Sequence, residues 1–317
     1  MPCPGRHRAA MGLPFVLLLM IADPPLGADR GAQSLDRAVG RSAATVRQSA
    51  AWRAKPPGRR YSVTVPIGKP EPAVPLPAIA GPADARLPLV VLDPGHGGHD
   101  PGATSPHSGK REKDVTLALA RAIRDELVAT GRVRVALTRS DDRFLVLEER
   151  YGIARRMKAD LFISLHADAA ESQEAHGASV YTLAEVASDR EAARLASREN
   201  RSNIINGVDL SAHGSAVSSI LLDLTQRETM TVASEFARLL HREASDDMRF
   251  RTTAHRFASF VVLKAPDTPS VLFETGFLSN EDDAKFLSSA EGRRQIARGV
   301  REAVQIHFAK RIAATGR

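Results

Sequence analysis

Residues 87–103 read LPLVVLDPGHGGHDPGA, an apolar run that breaks abruptly into a turn. The run shows no polar alternation, so it reads as a strand covered on both faces, the habit of parallel sheets. From Leu92 to Ala103 the sequence holds two histidines, two aspartates, two prolines and four glycines. Proline and glycine favour a tight turn with unusual backbone angles, and the glycines leave little bulk around His96. The next segment, EKDVTLALARAIRDELVAT, spaces Val115, Leu119, Ile123 and Leu127 as one helical face before Gly131 stops it. Strand, turn and helix together open a βα unit.

The alternation continues outward. RVRVALTR (132–139) and DLFISLHAD (160–168) read as strands around a helix in LVLEERYGIARRMKA (145–159), and GASVYTL (177–183) as a further strand. TMTVASEFARLLHREA (229–244) reads as an amphipathic helix, ASFVVLKA (258–265) and PSVLFETGF (269–277) as strands, and SAEGRRQIARGVREAVQIHFAKRI (289–312) as a closing helix. The expected fold class is α/β: a mostly parallel twisted sheet with helices on both faces, an αβα sandwich, over residues 87–312. Residues 184–228 stand out as a charged, partly helical insertion whose middle, NGVDLSAHGS, reads as a loop.

The flanks differ in kind. Residues 1–28 carry Arg6 and Arg8, then a short apolar run from Leu13 to Ala22, and are expected to be an export signal that places the protein in the periplasm. The run is too short for a membrane span, which needs about 20 residues. Residues 29–86 read as a low-complexity linker, with nine prolines between 55 and 88. The only cysteine is Cys3, so a mature chain has no disulfide or thiolate site, and a metal must use histidine and carboxylate. Loss of two arginines and one aspartate with the signal takes the formal charge from +7 to +6. With three Tyr, one Trp and no dense basic block, nucleic acid is not the expected partner. A monomer is expected.

In an open α/β sheet, functional groups collect at the carboxyl ends of the strands. His96 follows one such end, His166 closes LFISLH, Glu274 closes VLFE, and Glu112 opens the first helix. Two imidazoles and one carboxylate, with a position left for water, suit zinc, and a further carboxylate serves as general base. A phosphate-binding reading of GHGGHD fails because the spacing lacks the third glycine of G-x-G-x-x-G. Asp93, Asp100 and Asp168 lie beside these residues and are candidates for orienting the imidazoles.

The segments VVLDPGHGGHDPGA, REKDVTLALA, LFISLHADA, GASVYTL and PSVLFETGFLSN resemble, in order and spacing, the zinc-dependent N-acetylmuramoyl-L-alanine amidases (Amidase_3 catalytic domain, cell-separation type) from about Leu89 to Ala309. The resemblance implies zinc held by His96, Glu112 and His166, with Glu274 assisting water in hydrolysis of the amide between N-acetylmuramic acid and L-alanine of peptidoglycan. It also implies that a helix in 184–228 plugs the zinc site until a LytM-type activator displaces it. Glu191 is the expected plugging carboxylate, with Glu185 and Glu199 as fallbacks. Residues 29–86 are too short and proline-rich for the targeting domain that many relatives carry. A zinc carboxypeptidase-like wall peptidase and a non-catalytic wall-binding regulator are the alternatives.

Overall fold

A computed structural model of the chain describes residues 74–315, apart from 171, 173, 206, 207 and 210–218. The expected export signal and most of the expected linker lie outside the described residues, as does most of the NGVDLSAHGS loop. In chain order the elements are β1 (Ile79–Ala80), β2 (Leu89–Pro94), α1 (Glu112–Ala129), β3 (Arg134–Leu137), α2 (Leu147–Arg156), β4 (Leu161–His166), β5 (Ala178–Leu183) and α3 (Arg190–Asn200). They continue with a small hairpin of β6 (Ile204–Ile205) and β7 (Val208–Asp209), then α4 (Ser219–Ala244), β8 (Phe250–Ala258), β9 (Ser270–Glu274), α5 (Glu281–Ser288) and α6 (Ala290–Thr315).

Seven strands form one sheet in the order β1-β3-β2-β4-β9-β5-β8. Pairs β2–β3, β2–β4, β4–β9 and β5–β8 are parallel, while β1–β3 and β5–β9 are antiparallel. The α/β sandwich read from the sequence is the fold observed. Every residue of β2 and β4 is buried, and alternate side chains feed opposite layers. Val90 and Leu92 pack with Leu119 and Ile123 of α1, Phe236 of α4 and Val300 of α6. Leu89 and Val91 join a second core with Leu147 of α2, Leu195 of α3, Phe260 and Leu272.

Two expectations are corrected. The segment 258–265 is not a strand: β8 lies earlier, at Phe250–Ala258, and Val261–Leu263 is a 3-10 turn. The true strand is polar and half exposed because it lies at the sheet edge, where one flank needs no apolar partner. The expected linker also ends sooner than residue 86. Ile79 and Ala80 pair with Ala136 and Val135, and the Val74 carbonyl accepts a hydrogen bond from Arg156.

Candidate metal centre

The carboxyl ends of β2, β4 and β9 adjoin, and the site is built there. His166 and Glu274 are register partners on parallel neighbours, so their side chains leave the same face about 4.8 Å apart. His96 lies two residues past β2, where the Gly95 amide donates to the Leu165 carbonyl at 2.9 Å. Its own backbone is left-handed, with φ 60°, followed by Gly97 at 127° and Gly98 at 59°. A non-glycine residue in that region is strained and must be held by its surroundings.

Two buried arginines hold it. Arg150 of α2 donates to the carbonyls of Pro94 at 3.0 Å and His96 at 2.9 Å. Arg139, just after β3, donates to those of Pro94 at 3.0 Å and Gly95 at 2.8 Å. Burial lowers the Arg139 pKa to about 10, which leaves it charged at neutral pH. Sequence reading missed both residues; the signal available was an arginine closing an apolar strand in ALTR and another in the helix EERYG. Asp93, expected beside an imidazole, instead joins Arg150 at 3.3 Å, Thr138 at 2.6 Å and Ser164 at 2.8 Å, tying three elements beneath the turn.

Glu112 opens α1 and faces both histidines, with one oxygen 3.2 Å from His96 Nε2 and the other 3.2 Å from His166 Nδ1. The amides of Ala103 and Ala167 each donate to one of those oxygens at 2.8 Å, which fixes the carboxylate plane. Asp100 accepts from His96 Nδ1 at 2.8 Å, which turns Nε2 towards the site. Nε2 is buried and makes no hydrogen bond. The imidazole centroids are 5.0 Å apart with rings near perpendicular. A Cβ on Gly95 would stand 2.5 Å from the His166 ring, and one on Gly102 would stand 2.6 Å from His96 and 2.7 Å from Glu112. The two glycines are therefore the floor of the cradle.

The expectation for Glu191 is corrected. Its carboxylate points away from the histidines and pairs with Arg251 and Arg256. The glutamate that reaches them is Glu199, at the end of α3, with Oε2 3.3 Å from His166 Nδ1 and 3.7 Å from His96 Nε2. His96, His166 and Glu199 offer donor atoms that all lie within 4.8 Å of one another. The cause is the helix anchor: Asn200, next to Glu199, donates to the Ser259 carbonyl at 2.8 Å and accepts from Val261 N at 2.8 Å. Arg198 pairs with Asp168, whose amide donates to Glu274 at 3.2 Å.

Electrostatics follow from this crowding. Burial opposes a charge on His96, but the carboxylates of Glu112 and Glu199 beside it outweigh burial and lift its pKa well above that of a free imidazole. Burial first, and then Glu112 and Glu199, push Glu274 well above the usual carboxylate range; its Oε1 has no hydrogen-bond partner. Three carboxylates and two imidazoles in one buried pocket form a donor set for a divalent cation, and the orphaned Nε2 fits that use. His107 is bound elsewhere, to the Ser279 carbonyl at 3.0 Å, and His99 packs against Phe144.

The profile of the N-acetylmuramoyl-L-alanine amidase family (Amidase_3) matches residues 90–306. The chain belongs to this family. Among curated amidases it is 40% identical over 223 residues to AmiC of Neisseria meningitidis, covering 70% of this chain and 53% of that protein. It is 38% identical over 221 residues to AmiA of Escherichia coli, covering 69% of this chain and 76% of that protein. The chain thus spans little more than half the length of the AmiC relatives, at 53% and 57%. The fold is shared with the catalytic domain of the amidase CwlV from Bacillus (Paenibacillus) polymyxa, at TM-score 0.53 and 24% identity over 70% of this chain and 99% of that one. It is also shared with the amidase Ami1 of Mycobacterium smegmatis, at TM-score 0.51 and 19% identity over 70% of this chain and 97% of that one.

Proposed function

We propose that residues 87–312 hydrolyse the amide between the lactyl group of N-acetylmuramic acid and L-alanine in peptidoglycan, with zinc held by His96, Glu112 and His166. The observation that carries this reading is the convergence of two imidazoles and a backbone-clamped carboxylate beside Glu274. Zinc, when bound, supplies Lewis acidity, polarising the amide carbonyl and easing the ionisation of water. Glu274 handles the proton. Its carboxylate takes one from the attacking water as the new C–O bond forms, and returns it to the alanine nitrogen as the C–N bond breaks. Burial suits it to the task, because a carboxyl held above the usual carboxylate range accepts a proton from water more readily. Asp100 keeps His96 in the tautomer that presents Nε2, and Arg139 and Arg150 hold the turn against its strain.

Helix α3 is the proposed brake, and Glu199 the carboxylate that bars the site. Its apolar hold is modest: α3 buries Ala192, Leu195 and Ala196, a buried leucine contributes only about 2 kcal/mol, and the rest of the hold is polar, through Glu191, Arg198 and Asn200. A partner binding the displaced state a few kcal/mol more tightly shifts the balance. That partner is proposed to be a LytM-type activator, with the enzyme an exported periplasmic monomer acting in wall remodelling and daughter-cell separation. No helix of the described residues is long and apolar enough to cross a membrane.

The test is mass spectrometry of products released from purified sacculi by the zinc-loaded full chain carrying Glu199→Ala, which takes the barring carboxylate out of the site. Whole stem peptides with a free L-alanine amine are expected. Release of single amino acids would instead indicate a carboxypeptidase, and retention on the wall without release a binder.

A further inference from the structure

Helix α3 presents a second carboxylate to a second basic site. Glu191 precedes Glu199 by eight residues, which at 1.5 Å per residue is roughly 12 Å along the axis. Its oxygens contact Arg251 and Arg256, the latter at 2.9 Å. Both arginines belong to β8 on the body of the domain, and their side chains are only 19% and 10% exposed. Arg251 also lies over the ring of Phe277, 5.3 Å from its centroid, three residues beyond Glu274. A cavity of about 400 Å³ lies beside Arg251, with Asp168, Tyr181, Arg251 and Phe277 on its fixed wall and Glu191 and Leu195 on the α3 wall; the Asp168 amide donates to Glu274 of the metal centre at 3.2 Å.

The two acids found against these guanidinium groups, Glu191 and the α3 cap Asp189, sit on the segment that must move. When it moves, two neighbouring cations lose these acids, and Arg251 stands on the cavity wall. Guanidinium forks in partly desolvated surroundings favour a carboxylate.

We propose that Arg251 and Arg256 form a carboxylate subsite for the stem peptide, and that α3 imitates the substrate at both ends, with Glu199 at the imidazoles and Glu191 at the arginines. This rests on the amidase reading above. An extended peptide advances about 3.5 Å per residue, so the separation places the recognised carboxylate about three residues into the stem. Substrate and brake then compete for the same two positions, which makes peptide binding and helix release mutually reinforcing.

Calorimetric titration of the full chain tests this, with the tripeptide L-alanyl-γ-D-glutamyl-diaminopimelate and its fully amidated counterpart as probes. Glu191→Gln removes the internal competitor and is expected to tighten binding of the acidic tripeptide by about tenfold or more, while Glu191→Gln/Arg251→Met loses that gain, as truncating one partner of a charge pair does. The amidated peptide is expected to bind all forms alike. Equal binding of the acidic and amidated peptides to every form overturns the proposal, and the single Glu191→Gln comparison decides it even where Arg251→Met fails to fold. Sacculus digestion by the same forms with Glu199→Ala added, so that the barring carboxylate is absent, separates the two ideas. Digestion without carboxylate selectivity sinks the subsite alone, and selective binding without digestion sinks the amidase reading alone.

Discussion

Glu199 Oε2 stands 3.3 Å from His166 Nδ1, the same nitrogen that Glu112 Oε1 approaches to 3.2 Å. One carboxylate comes from the fixed start of α1 and the other from a helix held by little apolar surface. The same imidazole thus meets one carboxylate from α1 and one from α3, and under the proposed brake the second is the removable one.

Replacing the removable partner separates their roles. Glu199→Ala in the full chain is expected to raise basal release of dye from labelled sacculi by about tenfold or more, since each 1.4 kcal/mol of lost hold shifts the open population tenfold. Glu191→Ala loosens the helix without vacating the centre and is expected to raise release less. Equal basal rates for Glu199→Ala and the unaltered chain would count against the brake.

Glu274→Gln keeps size and burial but cannot carry the proton. Hydrolysis is expected to fall by about 10² to 10⁴, with zinc content by mass spectrometry unchanged. A variant that digests sacculi at the original rate would remove Glu274 from the mechanism.

The glycine floor admits no methyl group. Gly95→Ala places a Cβ 2.5 Å from the His166 ring, so the ring or the turn must shift. Zinc at about 100 times its dissociation constant should stabilise the unaltered chain by about 2.7 kcal/mol, and this increment is expected to vanish in Gly95→Ala. A zinc-dependent shift in melting temperature equal to that of the parent would show that the cradle is looser than its distances.

Arg150 and Asp93 are 2% and 0% exposed, and 3.3 Å apart. Arg150→Met leaves the Asp93 carboxylate buried without its counter-charge, at a cost of about 3–5 kcal/mol. Urea denaturation of the metal-free chain measures it, and a loss under 1 kcal/mol would indicate that Thr138 and Ser164 suffice.

His307 gives a pH signature remote from the metal centre. Burial, followed by the charges of Arg311 and Lys310, depresses its pKa from 6.5 to about 4. The folded state therefore favours the neutral ring, so its contribution is complete above about pH 6.5 and is lost as pH falls towards 4. At 1.36 kcal/mol per pKa unit, the total approaches about 3 kcal/mol. His307→Gln is expected to flatten the stability profile across that window, and parallel profiles for the two proteins would refute it.

Much of the architecture was legible because βα alternation is written in local periodicity. Apolar runs mark buried strands, and α1 shows its face through Val115, Leu119, Ile123 and Leu127, all buried. The misplaced β8 was not legible, since an edge strand carries polar residues and its apolar neighbour Phe260–Leu263 serves the core as a turn. Candidates at strand ends could be named because parallel sheets gather their chemistry there.

The sequence by itself determined the strand and helix alternation, the thiol-free donor chemistry and the glycine-rich turn, because these depend on residue type and short-range spacing. Only the tertiary structure decided which glutamate of α3 reaches the imidazoles. Glu191 and Glu199 lie on the same helix, and the choice rests on where Asn200 docks and where Arg251 and Arg256 wait on β8. The use of Arg139 and Arg150 as props for a strained turn was likewise decided in three dimensions, since carbonyl groups carry no residue identity in a sequence.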